Sequence, residues 1–214
     1  MIHLVLGGAR SGKSRYGESL VENYAAEQIA KHLKQSVEHY GENNVENSAE
    51  KHVEKDSKTS IRCVYIATAT ALDEEMSQRI AKHKQDRVDA NISWELIETP
   101  LALASTLIEQ SADDTVILVD CLTLYLTNHL IASEETHRNG VDDLWQQQKQ
   151  ALLSCLPNLK GQIIFISNEV GSGIVPLGEL TRRFADEAGW LNQAIAKQAD
   201  KVTLVIAGLP LALK

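Results

Sequence analysis

Residues 2–14 read Ile-His-Leu-Val-Leu-Gly-Gly-Ala-Arg-Ser-Gly-Lys-Ser. The apolar run 2–6 predicts a strand. Gly7 ends it, and Gly12, Lys13 and Ser14 complete a G-x-x-x-x-G-K-[ST] spacing ahead of a helical stretch. The glycines let the backbone bend tightly and expose its N–H groups. Together with the dipole of a helix starting near Lys13, those groups make an anion cradle. Lys13 is spaced to reach the β- and γ-phosphates of a nucleotide, and the Ser14 hydroxyl to hold Mg²⁺. A plain glycine-rich turn with a surface lysine would not account for strand, spacing and Lys-Ser pair together.

The remainder of the chain reads as the scaffold such a loop requires. At 214 residues, 43% of them hydrophobic, it can bury a full core. A single domain over 1–214 is expected, with no linker and no repeat. Net charge is −8 with no dominant basic stripe, which argues against nucleic acid as a partner. Cys63, Cys121 and Cys155 are odd in number and lack C-x-x-C spacing, as in a reduced cytoplasmic protein. The chain enters its first strand at once, so no signal peptide is expected, and no apolar run is long enough for a transmembrane segment.

Further strands are expected at 62–70, 92–97, 115–120, 162–168 and 202–207. Helices are expected over 14–34, 73–89, 101–110, 122–132 and 141–156. In the first helix Leu20, Tyr24, Ile29 and Leu33 form the apolar set. In a last, long helix Leu180, Phe184, Ala188, Leu191 and Ile195 share one face. Residues 137–140 read as a loop. The stretch from about 35 to 60 is polar, with few large apolar residues, and reads as a surface insertion, partly helical or mobile, with no core role. His32, His39 and His52 are too loosely spaced, with no cysteine near, to indicate a metal site. Alternating strands and helices predict an α/β, P-loop NTPase-like fold: a mostly parallel sheet with helices on both faces. Ligands in such sheets bind at the carboxyl ends of the strands. That rim would carry 7–14, 68–70, Glu98, Asp120 and 168–173.

Asp120 ends an apolar strand, where a Walker B acid belongs and where a carboxylate can share Mg²⁺ with Ser14. Capping of the following helix is the competing reading. Asn168-Glu-Val-Gly-Ser-Gly-Ile-Val-Pro176 is a shaped loop with two polar side chains, by itself only a candidate binding loop. In Arg79-Ile-Ala-Lys-His83-Lys-Gln-Asp-Arg87 one imidazole lies among cations. A neutral imidazole is a good nucleophile toward phosphorus, and nearby cations favour that form. Taken alone, the stretch is better described as a solvated basic helix with an incidental histidine.

Several of these segments occur together, in the same order, in one family. They are Gly-Gly-Ala-Arg-Ser-Gly-Lys-Ser, Tyr65-Ile-Ala-Thr, Arg79-Ile…His83-Lys, the 168–176 loop, and Arg183-Phe-Ala-Asp186…Gly189-Trp-Leu-Asn192-Gln. The chain resembles the bifunctional adenosylcobinamide kinase/adenosylcobinamide-phosphate guanylyltransferases of cobalamin assembly, almost end to end apart from an insertion near 22–60. The resemblance implies two reactions, with ATP or GTP and a corrinoid, adenosylcobinamide, as substrates and Mg²⁺ as cofactor. The corrinoid is first phosphorylated. GMP then passes from GTP through a guanylyl-histidine to the corrinoid phosphate. His83 matches the guanylylated histidine, and Lys13 the catalytic lysine of the loop. Nucleotide contacts are implied at Gly7, Gly8, Ala9, Arg10, Ser11, Gly12, Lys13 and Ser14. They are also implied at Ala67, Thr68, Ala69, Lys84, Gln85, Asp86, Arg87, Glu98 and Asp120, with Ser14 and Asp120 at the metal. A homotrimer is implied as well. The long insertion departs from the family pattern, as do Lys82 and Arg87. Two rival readings are a single-function P-loop kinase and a nucleotide-binding regulatory protein. A regulatory GTPase would carry an Asn/Thr-Lys-x-Asp guanine-reading motif, and the sequence has none.

Replacing residues 36–58 by a short Gly-Ser bridge should leave the melting temperature and oligomeric state unchanged. Thermal melts and gel filtration check this; a large loss of stability would show the segment to be structural.

Overall fold

The computed structural model describes residues 1–41, 61–70, 92–137, 144–173 and 177–214, with Glu74 and Gln78 between them. Most of the helix expected over 73–89, the stretch around His83 and most of the 35–60 insertion lie outside the described residues; Glu74 and Gln78 are helical.

Seven strands form one sheet: β1 (Ile2–Gly7), β2 (Arg62–Ala67), β3 (Trp94–Glu98), β4 (Thr115–Asp120), β5 (Gln162–Asn168), β6 (Lys201–Ile206) and β7 (Leu209–Ala212). Their order is β3-β2-β4-β5-β1-β6-β7, the first six parallel and β7 antiparallel to β6. The described helices are α1 (Lys13–Gly41), α2 (Leu103–Gln110), α3 (Leu122–His137), α4 (Leu144–Cys155) and α5 (Glu179–Gln198). A 3-10 turn, Leu156–Asn158, follows α4.

Both faces of the central strands are buried, which explains their unbroken apolar runs. Leu4, Ile66, Ile117, Val119, Ile163 and Phe165 face one core, covered by α2, α3, α4 and α5. Val5, Tyr65, Leu118, Ile164, Ile166 and Val205 face the other, covered by α1. The helices on both faces are therefore as expected. Within the described residues no helix is long and apolar enough to cross a membrane.

Several expectations need correction, among them the end of β2, which stops at Ala67 rather than at residue 70. The buried face of α1 is Gly17, Val21 and Ala25, while Leu20 and Tyr24 only flank it and Ile29 is exposed. The helix lies so close to the sheet that a β-carbon on Gly17 would meet Ile166 Cδ1 at 2.5 Å. Close packing selects small residues, and a search for large apolar ones misses them. Helix α1 also continues to Gly41, into the segment assigned to the insertion, and α3 continues to His137, past the expected end at 132. On α5, Leu180 is exposed and the buried set gains Glu187. Finally, β7 was not foreseen. Its turn is Ala207-Gly208, both with positive φ (52° and 80°), as a two-residue type I′ hairpin requires. The sequence lacks the Asn-Gly signal of such turns. Pro210 is tolerated because β7 is an edge strand.

Gly161 has φ +71°, and a β-carbon there would lie 2.2 Å from the Thr115 carbonyl oxygen and 2.3 Å from that of Ala112. Both atoms are backbone and cannot yield. Gly161→Ala should destabilise the fold by roughly 2–4 kcal/mol, from left-handed strain plus overpacking. Gly189, inside α5 with open space around it, should behave oppositely: Gly189→Ala should stabilise by about 1 kcal/mol through helix propensity. Denaturant unfolding of the two variants checks both signs.

Candidate functional site

The carboxyl ends of the parallel strands lie side by side. The ladder pairs Glu98 with Ala67, Ala67 with Asp120, Gly7 with Asn168, and Gly7 with Val205. The rim anticipated from the sequence is therefore assembled.

The phosphate loop occupies the end of β1. Arg10 (φ 55°) and Gly12 (φ 93°) are left-handed, and Gly8, Ala9, Arg10 and Gly12 are exposed. Gly12 has a second reason to lack a side chain, because a β-carbon would come within 3.2 Å of Gly208 Cα. The Gly208 N–H donates to the Ser11 carbonyl at 2.8 Å, so the unforeseen β6–β7 turn buttresses the loop. On the other flank the Glu169 N–H donates to the Gly7 carbonyl at 3.1 Å. Lys13 begins α1, is only 9% exposed, and donates from Nζ to the Gly8 carbonyl at 3.0 Å. Ser14 follows it, half-buried. Backbone N–H groups, helix start and lysine thus gather at one spot, an arrangement suited to polyphosphate.

Asp120 is half-exposed at the end of β4 and accepts a hydrogen bond at Oδ2 from the Tyr65 hydroxyl at 2.9 Å. Among the described residues that is the side-chain hydrogen bond its carboxylate makes, on Oδ2, and Oδ1 could serve a cation. One carboxylate and one hydroxyl, completed by phosphate oxygens and water, suit Mg²⁺, which keeps several waters and needs few protein ligands. Thr68 is fully buried, and its hydroxyl donates to the Cys121 carbonyl (2.7 Å) while accepting from the Cys121 N–H (2.9 Å). Its hydroxyl is thus engaged in holding the turn after Asp120. Ala67 and Ala69 are half-buried beside it, and Glu98 is exposed at the end of β3. Burial, then the neighbouring Asp120 charge, pushes the Cys121 thiol up to about 11, so it stays neutral and is no nucleophile. His83, Lys84, Gln85, Asp86 and Arg87 lie outside the described residues.

Several contributing residues were not singled out from the sequence. Thr123, just after Asp120, accepts from Asn168 Nδ2 at 2.8 Å. Asn128, on α3, donates to the Thr68 carbonyl (2.8 Å) and the Pro100 carbonyl (3.1 Å), joining the loops after β2 and β3. Asn192 donates to the Asn168 carbonyl at 3.1 Å. Apart from Asn192, which falls in a quoted motif, only their being polar residues on or next to largely apolar elements could have marked them.

The chain is similar to known proteins over its whole length. The family model described as "Cobinamide kinase / cobinamide phosphate guanyltransferase" matches residues 45–213. The bifunctional adenosylcobalamin biosynthesis protein CobP of Pseudomonas aeruginosa is 43% identical over 214 residues, covering 100% of this chain and 98% of that protein. The bifunctional adenosylcobalamin biosynthesis proteins CobU of Salmonella typhimurium and Escherichia coli are 31% and 29% identical, each over the full length of both chains. The phosphate loop precedes the span of the family model but lies within all three full-length alignments. On these grounds the chain belongs to the cobinamide kinase/cobinamide phosphate guanyltransferase family.

Proposed function

We propose that this protein phosphorylates adenosylcobinamide with ATP or GTP and then transfers GMP from GTP to the product, through a guanylyl-histidine at His83. The observation that carries the reading is the seated phosphate loop, in a chain of a family described by these two activities.

In the first reaction the nucleotide phosphates rest on residues 7–14. Lys13, anchored at the loop, offers its ammonium to charge developing on the transferred phosphoryl group. Ser14 and Asp120 would hold Mg²⁺, which when bound neutralises phosphate charge. In the second reaction a neutral His83 attacks the α-phosphorus of GTP. The N–P bond forms, the bond to the α–β bridging oxygen breaks, and pyrophosphate leaves. An oxygen of the corrinoid phosphate then attacks the same phosphorus and frees the imidazole. Splitting the transfer this way avoids bringing two polyanions together in one step. Lys84, Gln85, Asp86, Arg87, Glu98, Ala67, Thr68 and Ala69 belong, in this reading, to the guanylyl-transfer side of the rim. The family likeness further supports a homotrimer, and the three unpaired cysteines fit a cytoplasmic enzyme.

Asp120→Asn keeps size and can still accept from Tyr65, but it loses the charge. The Mg²⁺ concentration for half-maximal kinase rate should rise roughly 10–100-fold, with little change in melting temperature. An unaltered Mg²⁺ titration would remove Asp120 from the metal.

The test of the whole reading is incubation with α-labelled GTP, denaturation, and peptide mass spectrometry. The expected result is GMP on His83, labile in acid, stable in alkali, and discharged by adenosylcobinamide phosphate. His83→Asn should lose guanylyl transfer and keep substantial kinase activity. An adduct on Lys82 or Lys84, or full transfer in His83→Asn, overturns the assignment. Lysines near their usual pKa of about 10.4 are mostly protonated and poor nucleophiles, so histidine is expected to win.

A further inference from the structure

Asp120 and Tyr65 share one face of the sheet. On β4 the side chains of Val116 and Leu118 enter the core beneath α1, so strand alternation carries Asp120, two residues on, to that same face. Tyr65, on the neighbouring β2, pairs with Leu118 and lies in that core too. The acid therefore stands on the side of the sheet where α1 begins with Lys13 and Ser14. Tyr65 reaches past Leu118 to it, and its hydroxyl donates to Oδ2 at 2.9 Å. The tyrosine is firmly seated. It is 3% exposed, and its ring meets that of Trp94, on β3, edge to face at 5.7 Å and 88°. The two carboxylate oxygens are thus made unequal. Oδ2 is engaged by a fixed donor, and the hydrogen bond resists rotation of the group.

Divalent cations respond differently to such a carboxylate. Ca²⁺ is large, takes many oxygens in a flexible shell, and accepts both oxygens of one carboxylate. Mg²⁺ demands a tight octahedron, keeps several of its waters, and needs only one or two carboxylates beside substrate phosphates. Selection between them follows from ligand number and flexibility. An acid with one oxygen engaged and its rotation blocked offers one ligand at a fixed place, which suits Mg²⁺ and falls short of what Ca²⁺ can use.

We propose that Tyr65 is a positioning residue that sets the cation preference of the site: by engaging Asp120 Oδ2 it leaves a single carboxylate oxygen for the metal and favours Mg²⁺ over Ca²⁺. Tyr65 acts only through Asp120, and the inference rests on the placing of Asp120 at the metal given above.

The test reads metal binding rather than turnover. A fluorescent, ribose-labelled ADP is mixed with the protein, and Mg²⁺ or Ca²⁺ is titrated in to give a half-saturating concentration for each ion. The hold of ADP itself on each ion is common to all variants and cancels when they are compared. Tyr65→Phe keeps the ring against Trp94 and removes only the hydroxyl. The ratio of the Ca²⁺ value to the Mg²⁺ value should fall roughly tenfold, the size seen when a metal ligand loses its hydrogen-bond partner. Affinity for the labelled ADP without metal should not change. Trp94→Leu keeps the hydroxyl but frees the ring; it should move the ratio the same way by less, and it serves if the phenylalanine variant folds poorly. In an Asp120→Asn background Tyr65→Phe should have no further effect on the ratio, since the two residues act as one unit. A ratio within twofold of the unaltered chain in Tyr65→Phe overturns the proposal. So does a weakening shared equally by both ions, the mark of a merely structural role. If the unaltered chain does not bind the labelled ADP, or if Asp120→Asn leaves both titrations unchanged, the underlying reading fails and the inference with it.

Discussion

The phosphate loop is held by its carbonyl groups. Gly7, Gly8 and Ser11 each present a backbone oxygen that a protein donor takes up: the Glu169 N–H, Lys13 Nζ and the Gly208 N–H. Three donors from three elements fix the negative ends of the loop's peptide dipoles, which leaves the positive ends to meet an anion. The arrangement is only possible because both neighbours of β1 run parallel to it and stop at the same level, with Asn168 and Val205 beside Gly7. It also carries a cost. Arg10 is left-handed without being glycine, worth about 1–2 kcal/mol, and the surrounding bonds must offset it.

The acid is held by a different device. The Thr68 hydroxyl clasps both backbone groups of Cys121, the Thr68 N–H reaches the Asp120 carbonyl at 3.2 Å, and Tyr65 steadies the carboxylate. From there a polar chain runs across the top of the sheet. Cys121 Sγ lies 3.0 Å from Thr123 Oγ1, Thr123 accepts from Asn168, and Asn168 accepts from Asn192 on α5. Buried polar networks are stable when their members are satisfied and weak where one is not. Farther from the strand ends, Glu187 is 4% exposed yet accepts from Trp145 Nε1 (2.7 Å), Gln146 Nε2 (2.8 Å) and Lys149 Nζ (2.7 Å). Burial would push this carboxyl up, but the three donors outweigh it and hold it below its usual value. The network joins α4 to α5 and so fixes the helix that carries Asn192.

Strands buried on both faces were legible almost to the residue, as β4 and β5 show, because their apolar runs are short, rich in Val and Ile, and bounded by polar residues. The phosphate loop was legible for a similar reason: its chemistry demands particular residues at particular spacings. What could not be read was packing by small residues and pairing of polar ones. Gly17 and Ala25 give no periodic signal, yet they set how close α1 lies to the sheet. Glu187 looks like any surface glutamate until Trp145 and Lys149, some forty positions earlier, are brought to it. Strand β7 is fully exposed and contains a proline, so neither alternation nor a breaker-free run announced it.

Register in such a sheet poses its own problem, and the site follows from its solution. In a strand with one buried face, a slip of one residue turns the apolar side outward, and the fold rejects it. Strands β4 and β5 are apolar on both faces, so alternation cannot tell one register from another. Their ends can. The apolar run of β4 stops at Asp120 and that of β5 at Ser167-Asn168, and Asp120 and Asn168 remain half-exposed at the rim. Drawing β4 inward by two residues would leave its apolar faces matched but carry the Asp120 carboxylate to the depth of Leu118, which is fully buried. Burying an unpaired carboxylate costs several kcal/mol, comparable with the stability of a whole domain. The polar ends therefore fix how far each strand enters the sheet. The same residues that prevent slippage are the ones brought level at the rim, beside the loop that grips the phosphates.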